Sequence, residues 1–276
     1  MWSSRVTLPK CSGARTRLPG AWLRVVTGTL IAVNIAATAR GQVPAPQPAT
    51  SQPAAADTIP SFERPNGALL RPGALTYALS LTRLTGDPTP LGTRVVSVSG
   101  VSVGGTPSWL IAESRTGTVV ETTDSVSLAR ADLAPERWSA TIGKSRFAAS
   151  FSRDSMFGGT DTYQGRSSFG VLVPSNALLS AGMAERVIEM LPLREGYRGG
   201  AYLVLVVGQT PQMVRSEIVV DGTETLTVGR QSVECWRVLL RTPATEERLW
   251  VARDGVRVVR TEQLVAGGVL RSDLQP

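Results

Sequence analysis

Residues 75–82 read Leu75-Thr76-Tyr77-Ala78-Leu79-Ser80-Leu81-Thr82. Large apolar side chains fall on every odd position and small or polar ones on every even position. A period of two puts the two sets on opposite faces of an extended chain, the mark of a half-buried β-strand. The same alternation recurs outward from this stretch. Residues 94–103 place Val96 and Val98 in one phase and Val101 and Val103 in the other, with Gly100 between them as expected of a bulge. Further strands are predicted over 108–114, 118–128, 138–143 and 145–152, and then over 201–207, 214–220, 224–228, 233–241, 248–252, 256–263 and 269–274. Gly117, Asp221-Gly222, Gly229, Asp254-Gly255 and Gly267-Gly268 lie between them as turn signals. These intervals predict an antiparallel meander.

One segment departs from the pattern. Residues 176–191 (NALLSAGMAERVIEML) space Leu178, Leu179, Met183, Val187, Met190 and Leu191 along one helical face. Ser175 or Asn176 can cap the start, and Pro192 ends it. An apolar helical face must bury against something, and the sheet is the available partner. The expected fold is mainly β: a curved antiparallel sheet with one helix packed across it.

The chain has 276 residues and a formal net charge of +7. That balance points at first to nucleic acid. Residues 1–39, however, hold five cations (Arg5, Lys10, Arg15, Arg17 and Arg24) and no acid, so the remainder carries only +2. Nucleic acid is therefore not an expected partner. The same 39 residues join this cationic start to an apolar run over 25–36 and the small-residue site Ala37-Thr38-Ala39. These are the three parts of a secretory signal peptide, with cleavage expected after Ala39 or Gly41. Cys11 precedes the apolar run, where a lipid-anchoring cysteine would have to follow it. Residues 40–66, rich in Pro, Ala and Gln, are expected to form a disordered spacer, and 67–276 a single β-rich domain. The expected location is periplasmic or extracellular, as a soluble protein.

Exclusions narrow the chemistry. The sequence contains no histidine, which removes Ser-His-Asp and Cys-His nucleophile systems and histidine metal sites. Cys235 is the only cysteine after the leader, so no internal disulfide forms, and a lone thiol within a strand reads as a packing residue. The acids Asp124, Asp132, Asp154, Asp161, Glu185, Glu217, Glu224 and Asp273 are scattered, with no spacing that pairs two of them for glycosidase-type work. Gly158-Gly159 and Gly199-Gly200 lack the Lys-Ser/Thr of a phosphate loop and read as turns, and Ser167-Ser168 reads as a polar loop. No catalytic residue, metal site or cofactor is expected. Trp109, Trp138, Trp236 and Trp250 all fall in predicted strands, where tryptophan packs the core or lines a cavity.

The domain resembles the outer-membrane lipoprotein carrier and receptor superfamily, and most nearly uncharacterised exported domains of that fold. The likeness rests on residues 128–138 (LARADLAPERW), 191–197 (LPLREGY), 233–238 (VECWRV) and 249–263 (LWVARDGVRVVRTEQ), in that order. It implies an incomplete barrel closed by helices around a cavity for acyl chains, with no catalytic residues. The ligand-lining set expected from helix and strands is Trp109, Trp138, Leu179, Met183, Val187, Met190, Trp236 and Trp250. The expected partner is a lipid or other apolar small molecule, with peripheral association to the cell envelope, and the oligomeric state stays open. Two other readings stand beside it: an envelope scaffold whose interior is a filled core, and a secreted hydrolase on a β-sandwich.

Overall fold

The computed structural model describes residues 60–83, 86–117, 121–152, 154–174, 177–178, 181–207, 210–254 and 257–276. The protein is mainly β, with one open sheet of fifteen strands. The first wing comprises β1 (Gly73–Arg83), β2 (Thr89–Val103), β3 (Thr106–Thr116), β4 (Thr122–Ala129), β5 (Pro135–Ile142), β6 (Ser145–Phe151), β7 (Ser155–Thr162) and β8 (Gly165–Leu172). A two-residue strand, β9 (Ala177–Leu178), and one helix, α1 (Ala181–Ile188), follow. The second wing comprises β10 (Arg198–Val207), β11 (Thr210–Val228), β12 (Gln231–Arg241), β13 (Glu246–Ala252), β14 (Val258–Val265) and β15 (Gly268–Leu274).

Each wing is a meander whose neighbours in sequence pair antiparallel. The wings join where β1 pairs with β15, from Tyr77 opposite Leu274 to Arg83 opposite Gly268. Only β9 runs parallel, against Tyr202 and Leu203 of β10. The sheet curls without closing: its edge strand β8 comes within 8 Å of β11, measured between Cα atoms, but does not pair with it. Side chains from both wings and from α1 meet in one core, including Tyr77, Ile111, Leu128, Met156, Ile188, Ile218 and Leu249. A smaller cluster (Leu226, Val233, Cys235, Trp250, Ala252 and Val259) packs separately. On β13 it takes Trp250 and Ala252, while Leu249 and Val251 point to the main core, so alternation along one strand feeds both clusters.

Several local expectations differ from the structure. The helix begins at Ala181, not at 176, because Ala177 and Leu178 pair with β10 instead. Asp221-Gly222 is not a hairpin turn; it lies inside the 19-residue β11, as a register shift between Val220 and Gly222. β12 is long enough to pair with both halves of β11, so the extra residue is absorbed as a bulge. Gly100 forms no bulge. It continues the β2–β3 ladder opposite Trp109 and leaves room for the Arg130 guanidinium, which stacks 4.2 Å from the indole centroid. Gly158-Gly159 and Ser167-Ser168 are interior residues of the β7–β8 hairpin, not loops.

Gly199-Gly200 opens β10, where a strap crosses the sheet. Residues 60–70 run over the curled sheet and are pinned along their length. Phe62 N–H donates to the Gly200 carbonyl (3.1 Å) and Gly200 N–H to the Pro60 carbonyl (2.6 Å). Asn66 N–H donates to the Met190 carbonyl (3.1 Å), and Arg194 pairs with Glu63 (2.7 Å). A Cβ at Gly199 would stand 2.7 Å from the Phe62 Cα, so only glycine lets the strap lie this close. Residues 60–66, whose composition reads as spacer, are thus part of the packed structure.

Candidate functional site

The helix positions the site. It is eight residues long, too short to hold its shape alone, so packing sustains it. Its residues from Met183 to Ile188, and Glu189 to Leu191 beyond, are all buried. An amphipathic helix normally turns its charges to water; here Glu185, Arg186 and Glu189 face the sheet interior at 1%, 3% and 6% exposure.

Buried charge is costly unless paired and hydrogen-bonded, and a network meets that cost. Arg94 of β2, itself 1% exposed, sits between two carboxylates, at 2.8 Å from Glu185 and 2.8 Å from Glu113 of β3. Arg115 pairs with the other oxygen of Glu113 at 2.7 Å. Arg186 pairs with Glu189 at 3.0 Å and donates to the Tyr77 hydroxyl at 3.1 Å. Val258 of β14 stands opposite Val251 of β13, next to the register shift after Trp250, and its two peptide groups point into the network. The network takes them up: the Tyr77 hydroxyl donates to the Val258 carbonyl (3.0 Å), and Val258 N–H donates to Glu189 (3.1 Å).

The charge balance is uneven. Three guanidinium groups (Arg94, Arg115 and Arg186) face four carboxyl groups (Glu113, Glu185, Glu189 and the half-buried Glu247 of β13). Burial alone would raise Glu113, but Arg94 and Arg115 outweigh it and hold its carboxyl down at about 2. Glu189 goes the other way: desolvation, aided by Glu185, outweighs the pull of Arg186 and lifts it to about 8. Desolvation and the nearby Glu185 lift Glu247 to about 8 as well. Two of the four carboxyls, Glu189 and Glu247, are therefore held toward the protonated form at neutral pH.

Two cavities flank this helix, one on each side of the strap. The larger, about 630 Å³, lies between the Met183 and Val187 face of α1, the strap at Phe62, the β4–β5 turn at Leu133, the end of β6 at Phe151, and Val173. Its walls are mostly apolar, and Arg64 and Asp132, paired at 3.3 Å, sit at its rim. Leu133 is held at φ 56°, a left-handed conformation that costs a branched side chain about 1–2 kcal/mol, while 4% exposed. Strain of this kind at a cavity wall persists only where its surroundings fix it. The second cavity, about 400 Å³, is bounded by residues 69–75, Val96, Val98 and Met190, with Arg186, Glu189 and Arg257 among its polar groups.

Of the residues expected to line a ligand site, Met183 and Val187 meet in the larger cavity and Met190 reaches the smaller one. Leu179 lies outside the described residues. The tryptophans do not converge. Trp109 is buried, its indole N–H donating to the Gly67 carbonyl beneath the strap (3.3 Å). Trp138 packs on Phe147 and donates to Asp124 (2.6 Å). Trp236 is half-buried under Arg253. Trp250 belongs to the smaller cluster and donates to Glu224 (2.9 Å). Cys235 shares that cluster, fully buried, and burial pushes its thiol up to about 11, which leaves it a packing residue.

Of the scattered acids, Glu185 alone enters the central network; Glu217, Asp161 and Asp273 pair with Arg198, Arg166 and Arg260 on neighbouring strands. Sequence reasoning missed Arg94, Glu113, Arg186, Glu189 and Glu247. One signal was present: Arg94 and Glu113 occupy the apolar phase of their strands, in line with Val96, Val98 and Ile111. Scans against known protein families, characterised proteins and solved structures each give no match to this chain.

Proposed function

We propose that this protein is an exported, non-enzymatic binder of a lipid or other apolar molecule, held between the curled sheet and helix α1. The observation that carries the reading is the cavity of about 630 Å³ walled by Met183, Val187, Phe62, Leu133, Phe151 and Val173. Its size falls in the range of small-molecule sites, roughly 300–1,000 Å³, and its lining is apolar with a polar rim, as such sites are. A domain acting only as scaffold would fill this space, as it fills the core around Met156 and Leu249.

The test combines native mass spectrometry of gently purified protein with titration by a fluorescent fatty acid. Saturable uptake at one site is expected, abolished by Val187→Trp, which places an indole in the cavity. Absence of both co-purified lipid and saturable uptake would refute the reading in favour of a scaffold.

A further inference from the structure

We infer that the second cavity, bounded by residues 69–75, β2 and the end of α1, is a separate binding site for a medium-chain carboxylate, whose head group meets Arg257 and Arg186. The inference is independent of the larger cavity, which shares none of these side chains.

The mixed chemistry of the lining carries it. One part of the wall is aliphatic, with Leu70, Leu75, Val96, Val98 and Met190. The remainder holds three guanidinium groups, Arg71, Arg186 and Arg257, against a single carboxyl, Glu189. Arg186 is 3% exposed, yet its Nε has no hydrogen-bond partner, and the Nε of Arg257 is likewise buried without one. Among the described residues no carboxylate lies within ion-pair distance of Arg257. Buried donors without partners are rare in folded proteins and call for an explanation; among the described residues the Nε atoms of Arg94, Arg248 and Arg271 share this state, and Arg186 and Arg257 are the two that border one cavity. A guanidinium presents its donors as a planar fork that matches a carboxylate. The excess of positive charge selects an anion, and the aliphatic wall selects one with a hydrocarbon body. A volume of about 400 Å³ accommodates a chain of moderate length.

Isothermal titration calorimetry of the protein with sodium decanoate, decanol and decyltrimethylammonium tests this. Measured in Val187→Trp, where an indole fills the larger cavity, decanoate is expected to bind at one saturable site at least tenfold more tightly than either chain-matched control. Arg257→Gln should weaken decanoate at least tenfold and leave decanol unchanged, Arg257→Lys should restore part of the loss, and Val187→Trp should leave this site intact. Equal affinity for decanoate and decanol in Val187→Trp would overturn the inference, even if Arg257→Gln fails to fold. So would an Arg257→Gln variant that melts like the parent and binds decanoate as well. Loss of decanoate binding in Val187→Trp would show that the anion occupies the larger cavity and would equally overturn it.

Discussion

The two sides of helix α1 solve opposite problems. Met183 and Val187 are apolar residues that border an open cavity, so their surroundings are incompletely filled. Glu185, Arg186 and Glu189 are charged residues tied to Arg94, Tyr77 and Val258 by directed pairs, with the Nε atoms of Arg94 and Arg186 left over where Arg186 and Glu189 reach the second cavity. The apolar side is held by incomplete packing and the ionic side by specific bonds. Stability should therefore reside mainly on the charged side, leaving the apolar side free to exchange its contents.

The sharpest way to break this contrast is Arg94→Met. It leaves Glu113 and Glu185 buried without their shared cation, at an expected cost of about 3–5 kcal/mol in urea denaturation. A loss below 1 kcal/mol would mean that the network is incidental to the fold.

Acidity probes the same side. Glu189 is lifted from 4.5 unfolded to about 8 folded, so its contribution is fully present below pH 4.5 and is lost as pH rises through 8. Glu113, held at about 2, behaves in the reverse sense: its contribution is present above pH 4.5 and is lost as pH falls toward 2. Glu189→Gln should remove much of the decline between pH 4.5 and pH 8 while leaving the acid limb in place. Arg186, Glu185, the Val258 N–H and Arg94 all act on Glu189, and Glu247, lifted in the same way, should account for most of the decline that survives. Melting temperature followed from pH 3 to pH 9 reads both limbs.

On the apolar side the effects are smaller. Met183→Ala should cost about 2 kcal/mol, the low end for a buried methionine, because a wall facing a void has fewer contacts to lose. Val187→Trp should change stability by less than about 1 kcal/mol, because the indole enters space already present. A destabilisation of that variant beyond 3 kcal/mol would show the cavity to be closed in solution.

The sequence disclosed the two sides unequally. Alternation around Tyr77 and Leu79 was enough to place strands, and the spacing of Met183, Val187 and Met190 was enough to place a helix against them. The β7–β8 hairpin escaped notice because Gly158, Gly159, Ser167 and Ser168 carry too little hydrophobic contrast to show a period. The ionic side escaped for another reason. Arg94 and Glu113 lie 91 and 72 positions before Glu185, and no local pattern can announce a partner that only curling of the sheet brings near. The bond from Val258 N–H to Glu189 was equally invisible, since it depends on which way the paired β14 backbone turns its peptide groups.

The pairing of β1 with β15 has a consequence for how the molecule is made. The last of the described strands in chain order, β15 (Gly268–Leu274), is the one that joins the two wings. Until those residues leave the ribosome, β1 and β14 both present unsatisfied edges, and the two halves of the sheet have no ladder between them. Contacts so distant along the chain close slowly, and open edges invite pairing with other chains meanwhile. This is a protein that needs the seven residues of β15 before it has a continuous sheet, and it should be unusually intolerant of their deletion.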